Sequence, residues 1–449
     1  MKAIPYDLYS NRIDQASTIK QSGRVAQIIG LVIESVGPAV SIGNLCQIEN
    51  PETGERIRAE VVGFRDSRIL LMPLGSVAGI TPGSIVISTG EQVKVPVGEQ
   101  LAGRILGGLG QPIDGKGPIL STRSRPIDSP PIHALKRRRI SQAIRTGIKV
   151  IDMMVACGKG QRMGIFSGSG VGKSVMLGMI ARGSTADINV IALVGERGRE
   201  VREFIEKDLG SEGLKRSVVV AVTSDQPALV RIKGAFVATA IAEYFRDQGK
   251  DVMLLMDSVT RIAIAQREIG LAVGEPPATK GFTPSVFALL PKLLERAGTN
   301  EKGSITGLYT VLVEGDDFNE PISDAVRSIL DGHVSLSRRL ANLNQYPAVD
   351  VLDSISRLMP DICQPQHLEI AARAREIIAT YRESEDLINI GAYVKGSSAK
   401  IDFAISVIDD INRCFRQYIG EKCDFDETLR ELSEIVNRNR NESGVNEKI

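Results

Sequence analysis

The chain has 449 residues, 43% of them hydrophobic and 24% charged, with 55 Lys plus Arg against 54 Asp plus Glu and a formal net charge of +1. That length exceeds one ordinary core and predicts two or three domains, and the composition excludes extensive disorder. The charge balance leaves no electrostatic footprint for a nucleic-acid partner, so none is expected.

From the N-terminus, residues 1–22 are polar, with Leu8, Tyr9, Ile13, Ala16 and Ile19 near helical spacing. They read as a short amphipathic docking segment or, equally well, a frayed terminus, and not as a signal peptide, because no uninterrupted apolar stretch is present. No run of about 18 apolar residues occurs further on, so a cytoplasmic chain with at most peripheral membrane contact is expected. Residues 23–95 carry short β-rich runs (RVAQII, LVIESV, RAEVVGF, RILLMPL, SIVIST) between glycines, which predicts a small β-barrel. A Gly- and Pro-dense linker follows at 103–118, without a GxGxxG fingerprint.

The middle of the chain, 96–365 with its linker, alternates apolar runs (RMGIF, VIALV, SVVVAV, VMLLM, TGLYTVLV) with helix-like stretches. Continuous apolar strands mark a sheet covered on both faces, hence an α/β domain of parallel strands. Past about residue 365 helical periodicity takes over, clearest at Leu429, Leu432, Ile435 and Val436, which predicts a helical domain over 366–449. Five cysteines (Cys46, Cys157, Cys363, Cys414, Cys423) have no CxxC spacing and fit free thiols in a reducing compartment. His133, His333 and His367 are dispersed without metal spacing, and the basic run 136–139 reads as a solvated linker.

The strongest chemical signal is RMGIF running into Ser167-Gly-Ser-Gly-Val-Gly-Lys-Ser174, followed by a helix-like stretch from Val175. A glycine loop between strand and helix turns successive backbone N–H groups onto phosphate oxygens, and the helix N-terminus adds its positive dipole. Gly168, Ser169, Gly170, Val171, Gly172, Lys173, Ser174 and Val175 are therefore expected to cradle a nucleoside triphosphate. Lys173 would reach the β- and γ-phosphates, and the Ser174 hydroxyl would ligate Mg²⁺. The strict motif has glycine where this chain has Ser167, a small residue expected to preserve the loop. Asp257, closing the apolar run VMLLMD, is placed to hold the same metal ion. Glu196, closing VIALVGE, is placed to orient or deprotonate the attacking water, although a surface charge is an equally good reading of this residue alone.

In chain order, SGSGVGKS, GERGRE, LLMDSVTR, AQREIGLAVGEPPATKGFTPSVF, VEGDDFNEP, ILDGHVSLSRRL and YPAVDVLDSISR resemble the type III secretion ATPases, relatives of the catalytic subunit of rotary ATP synthases. The resemblance implies an N-terminal β-barrel, a RecA-type ATPase core, a helical C-terminal domain and a homohexamer that hydrolyses ATP with Mg²⁺. By matching motif, Glu196 is the water-activating carboxylate, Arg357 an arginine finger reaching a neighbouring subunit, Tyr346 the aromatic against adenine, and Arg261 a γ-phosphate contact. The implied partners are a stator-like regulator, an export gate at the inner membrane, a central-stalk-like protein and substrate–chaperone complexes. The stretch 23–48 resembles flagellar more than virulence-type enzymes. A rotary proton-linked catalytic subunit is the alternative within the superfamily. A ring translocase of nucleic acid is disfavoured by the near-zero charge.

Overall fold

The computed structural model describes residues 20–438 apart from 314, 316, 318 and 319. Most of the expected docking segment, and part of the VEGDDFNEP motif, lie outside the described residues. The chain divides into two compact units, one within Met1–Val93 with Ile269–Pro276, the other within Lys94–Glu268 and Pro277–Ile449.

In the first unit six strands close into a barrel: Ser22–Ile29 (β1), Val32–Val36 (β2), Leu45–Glu49 (β3), Arg56–Arg65 (β4), Arg68–Pro73 (β5) and Ile85–Ser88 (β6), in the order β1-β2-β5-β4-β3-β6. Closure pairs Ser22 with Ile87 and leaves no open edge. Alternate residues (Val25, Ile33, Ile48, Val61, Leu71, Val86) fill the interior, as the two-residue period of a strand requires. The expected barrel is thus present, with β3 added. LCQIE gives too short and too polar a run to announce itself as a strand.

In the second unit a nine-stranded sheet follows Ile105–Leu106 (β7), Arg162–Ser167 (β8), Ile188–Glu196 (β9), Ser217–Thr223 (β10), Asp251–Asp257 (β11), Ser304–Leu312 (β12), Gly332–Leu336 (β13) and Val349–Ser356 (β14). Their order is β14-β13-β8-β12-β11-β9-β10-β7, parallel except for β14, and Gly298–Thr299 pairs antiparallel off β12. All five apolar runs singled out in the middle of the sequence are central strands here. The helix Ala228–Asp247 (α3) is buried almost all round because its small residues permit close approach. A Cβ on Gly234 would meet Val222 Cγ2 at 2.4 Å.

Near the end of α3 sits a buried ion pair. Arg296, fully buried, donates from Nε and Nη2 to both oxygens of Glu243 at 2.8 Å and from Nη1 to the Ile127 carbonyl at 2.6 Å. Removing one partner strands the other charge, so Glu243→Ala should destabilise this unit by about 3–5 kcal/mol. The check is the denaturant midpoint of the variant, which should fall well below that of a surface Glu→Ala control.

Three C-terminal helices, Pro365–Asn389 (α5), Ala399–Phe415 (α6) and Phe425–Val436 (α7), present apolar residues at three- and four-residue spacing. Ile370, Ala374 and Ile377, with Val407, Ile411, Leu432 and Val436, share one apolar core with Ile148–Val155 and the sheet. Arg145 stacks 3.2 Å above the Phe425 ring, and His367 meets that ring edge-on.

Within the basic run only Arg137 turns partly inward; Lys136, Arg138 and Arg139 stay exposed. Arg137 donates to the carbonyls of Glu295 and Ala297, Arg138 to that of Asn300, and Arg139 pairs with Asp361. The run is thus mostly solvated, as expected of a linker, with Arg137 clasping the segment after Leu294. All five cysteines are free thiols, and among the described residues no helix is long and apolar enough to cross a membrane.

Candidate active site

The glycine loop leaves the carboxyl end of β8. Ser167 is the last strand residue, paired with Leu312 and Leu336, and is buried. It sits in strand geometry, so no glycine backbone is needed there, although its buried Oγ finds no hydrogen-bond partner among the described residues. Left-handed backbone is needed only at Gly170 (φ 78°) and Gly172 (φ 89°). A Cβ on Gly170 would meet nothing within 4 Å, so the loop there faces open space. Gly172 caps the helix Lys173–Gly183 (α1), which starts with Lys173, exposed Ser174 and partly buried Val175.

Strand order decides what gathers at this edge. β12 lies between β8 and β11 and contributes Thr310, whose Oγ1 donates to Asp257 Oδ1 at 2.7 Å. Lys173 Nζ donates to the same oxygen. Asp257, 5% exposed, closes β11 and pairs in register with Leu193 of β9. Glu196 stands three residues further along β9 as its last residue, paired with Thr223 of β10 at the sheet's carboxyl edge. Its carboxyl is pushed up to about 7, first by burial, then by the Asp257 charge and by a hydrogen bond to Glu200, against the opposing pull of Lys173 and Arg261.

Arg261, on the helix Val259–Val273 (α4), lays its stem over Gly195, where a Cβ would meet Arg261 Cβ at 2.9 Å. Its buried Nε has no protein partner among the described residues. The site therefore offers an anion an unused buried donor, an ammonium and the amides of an open glycine loop. Among the described residues no group of three or more His, Cys, Asp or Glu is disposed to hold a metal. The Ser174 hydroxyl and the Asp257 carboxylate are oxygen donors of the kind that would hold a hard cation such as Mg²⁺.

The Tyr346 ring lies beside the loop, where a Cβ on Gly172 would come within 3.4 Å of it. Gln417, 4% exposed, holds this wall: its N–H donates to the Tyr346 carbonyl, its Nε2 to the Gly147 carbonyl, and its Oε1 accepts from the Lys149 N–H, all at 2.9 Å. Arg357 is elsewhere. Its N–H donates to the Asp331 carbonyl, and the Asp331 N–H donates to the carbonyl of Arg162, the first residue of β8. It is exposed at the opposite end of the sheet, about 16 Å of strand from Ser167.

The structure thus brings together Lys173, Ser174, Asp257, Glu196, Arg261 and Tyr346 and separates Arg357 from them. Sequence reasoning missed Thr310, a hydroxyl inside an apolar run, and Gln417, whose partners are distant in sequence. Glu200 was quoted within GERGRE without being singled out.

Residues 147–356 match the nucleotide-binding domain of the ATP synthase alpha/beta family, 25–90 that family's beta-barrel domain, and 363–434 the C-terminal domain of the type III secretion ATPase EscN. The chain is 57% identical over 428 residues to the flagellum-specific ATP synthase of Bacillus subtilis strain 168, covering 94% of this chain and 97% of that one. It belongs to the flagellar and type III secretion ATPases. The ATPase is also 49% identical to the type 3 secretion system ATPase of Xanthomonas euvesicatoria, with 93% and 94% of the two chains covered. The structure of the assembled ATPase EscN from enteropathogenic E. coli superposes with a TM-score of 0.87 at 44% identity, over 92% of this chain and all of that one. Hydrolysis of ATP is the family's reaction and this chain's.

Proposed function

We propose that this ATPase serves a flagellar-type protein export apparatus, hydrolysing Mg²⁺-bound ATP in a homohexameric ring to unload and unfold export substrates. The observation that carries the reading is the meeting of Lys173, Asp257, Glu196 and Arg261 at one sheet edge while Arg357 stands at the other. The loop amides and Lys173 bind the β- and γ-phosphates, and Tyr346 packs on the adenine. Ser174 and Asp257 hold Mg²⁺, which when bound neutralises developing phosphate charge. Glu196 takes the proton of the attacking water, and Arg261 steadies the γ-phosphate. Arg357 serves the neighbour's site, so each site is complete only in a ring.

The flagellar assignment rests on the flagellum-specific relative, and EscN itself has been solved with its central stalk EscO. By analogy this ring takes a central-stalk-like protein, a stator-like regulator at residues 1–22, and substrate–chaperone complexes. It works in the cytoplasm against the export gate of the inner membrane.

Deleting the gene in its host should abolish release of filament protein into the medium while respiratory ATP synthesis stays normal. Unimpaired filament export together with failing ATP synthesis would favour the rotary proton-linked alternative and sink this one.

A further inference from the structure

β12 is buried from Ser304 to Val311 and carries three hydroxyls, groups that are costly to take out of water unless they are hydrogen-bonded. Ser304 and Thr306 find partners at the amino end of the strand, with Asp251 and with Gly158 and Gly160. Thr310, fully buried near the carboxyl end, donates instead to Asp257 Oδ1 at 2.7 Å. Register brings the two together. Tyr309 pairs with Met256, so Thr310 stands level with Asp257, while its partner on the other side is Ile165 of β8, two residues before Ser167.

Both carboxylates at this edge sit where a strand gives way to a helix. β9 runs through Glu196 into the helix Gly198–Glu203 (α2), and β11 through Asp257 into α4. At Asp257 the carboxylate is held by side chains: Lys173 Nζ and Thr310 Oγ1 both donate to Oδ1, and among the described residues no donor reaches Oδ2. The two donors differ in kind. Lys173 ends a flexible stem and, on the reading above, is drawn to the β- and γ-phosphates when ATP binds. Thr310 is β-branched and fixed on a central strand, so it stays. Its hydroxyl also leaves the full negative charge of Asp257 to a dication, which an ammonium in the same place would not.

We propose that Thr310 is a positioning residue for the metal: it fixes the rotation of the Asp257 carboxylate and keeps the second oxygen available to Mg²⁺ or to its water. This rests on Asp257 being a metal ligand and Lys173 a phosphate ligand. A threonine present only for strand propensity and packing would be replaced by valine without loss, since the two have the same branched shape.

The test is binding of Mn²⁺, read by electron paramagnetic resonance, to the full chain holding a non-hydrolysable ATP analogue. Thr310→Val keeps the shape and removes the donor, so its Mn²⁺ dissociation constant should rise about 10–100-fold, the range for losing an outer partner of a metal ligand. Thr310→Ser keeps the donor and should stay within about threefold of the wild type. Binding of the analogue without metal should not change and reports folding; if Thr310→Val loses it, Thr310→Ala is read in its place. In turnover, the Mg²⁺ concentration for half-maximal rate should rise likewise for Thr310→Val, with most of kcat recovered at saturating Mg²⁺, a rescue that a loosened sheet would not show. Wild-type Mn²⁺ affinity in Thr310→Val, or equal losses in Thr310→Val and Thr310→Ser, overturns the proposal. Asp257→Asn separates the two readings. Undiminished Mn²⁺ binding there removes Asp257 from the metal site, whereas lost binding beside an unaffected Thr310→Val removes only the role of Thr310.

Discussion

Glu196→Gln should bind ATP as the wild type does and lose hydrolysis by about 10²–10⁴-fold in kcat, the range for removing a positioned general base. The amide keeps the shape and burial of the carboxylate but has no acceptor pair for a proton at this pH. Lys173→Ala should fail differently. Lys173 is the ammonium at the glycine loop and touches Asp257 through Nζ, so its loss removes ground-state attraction for the phosphates as well as turnover. Titration with a fluorescent nucleotide alongside steady-state turnover distinguishes the two: unchanged affinity with lost kcat for Glu196→Gln, lost affinity for Lys173→Ala. Near-normal turnover of Glu196→Gln would remove Glu196 from the mechanism.

Arg357→Ala should lower kcat by about 10³–10⁵-fold, the range for an arginine finger, while nucleotide affinity changes little. The register argument makes this defect complementable. Arg357 stands level with Arg162 at the far end of β8, about 16 Å of strand from its own loop, so on the proposed reading its guanidinium serves a different chain. Mixing Arg357→Ala with Glu196→Gln under assembly conditions should restore activity that neither shows alone. In a random ring roughly a quarter of the interfaces join an intact Glu196 to an intact Arg357. Two inactive proteins that stay inactive when mixed, with mixed rings demonstrated by tagged pull-down, would place Arg357 outside the neighbour's site.

Much of this site was legible in the sequence because its anchors are local. A strand, a glycine loop and a helix in succession leave little freedom, and apolar runs ending in Asp257 and Glu196 put both carboxylates at the carboxyl edge of a parallel sheet. What was not legible depends on neighbours in space. Ser167 looked like a departure in the loop motif but belongs to β8, where no glycine is needed. Thr310 reaches Asp257 only because β12 intervenes between β8 and β11, and strand order is not written in any single run. β7 has two residues, and β14 at the sheet margin mixes Asp and Ser with apolar residues, so neither resembled the fully apolar central strands. The pairing of Arg357 with another subunit's site came from family likeness, and strand register shows only that Arg357 lies far from its own loop.

Gln417 has a mechanical consequence. One nearly buried amide ties the segment after α6 to the Tyr346 carbonyl and to both Gly147 and Lys149. A load that tilts α6 is therefore delivered to the aromatic wall of the phosphate loop by a stiff link a few bonds long, without the slack of a tether. The helical end of the chain and the Tyr346 wall beside the glycine loop thus behave as two arms of one lever, with Gln417 as its pin.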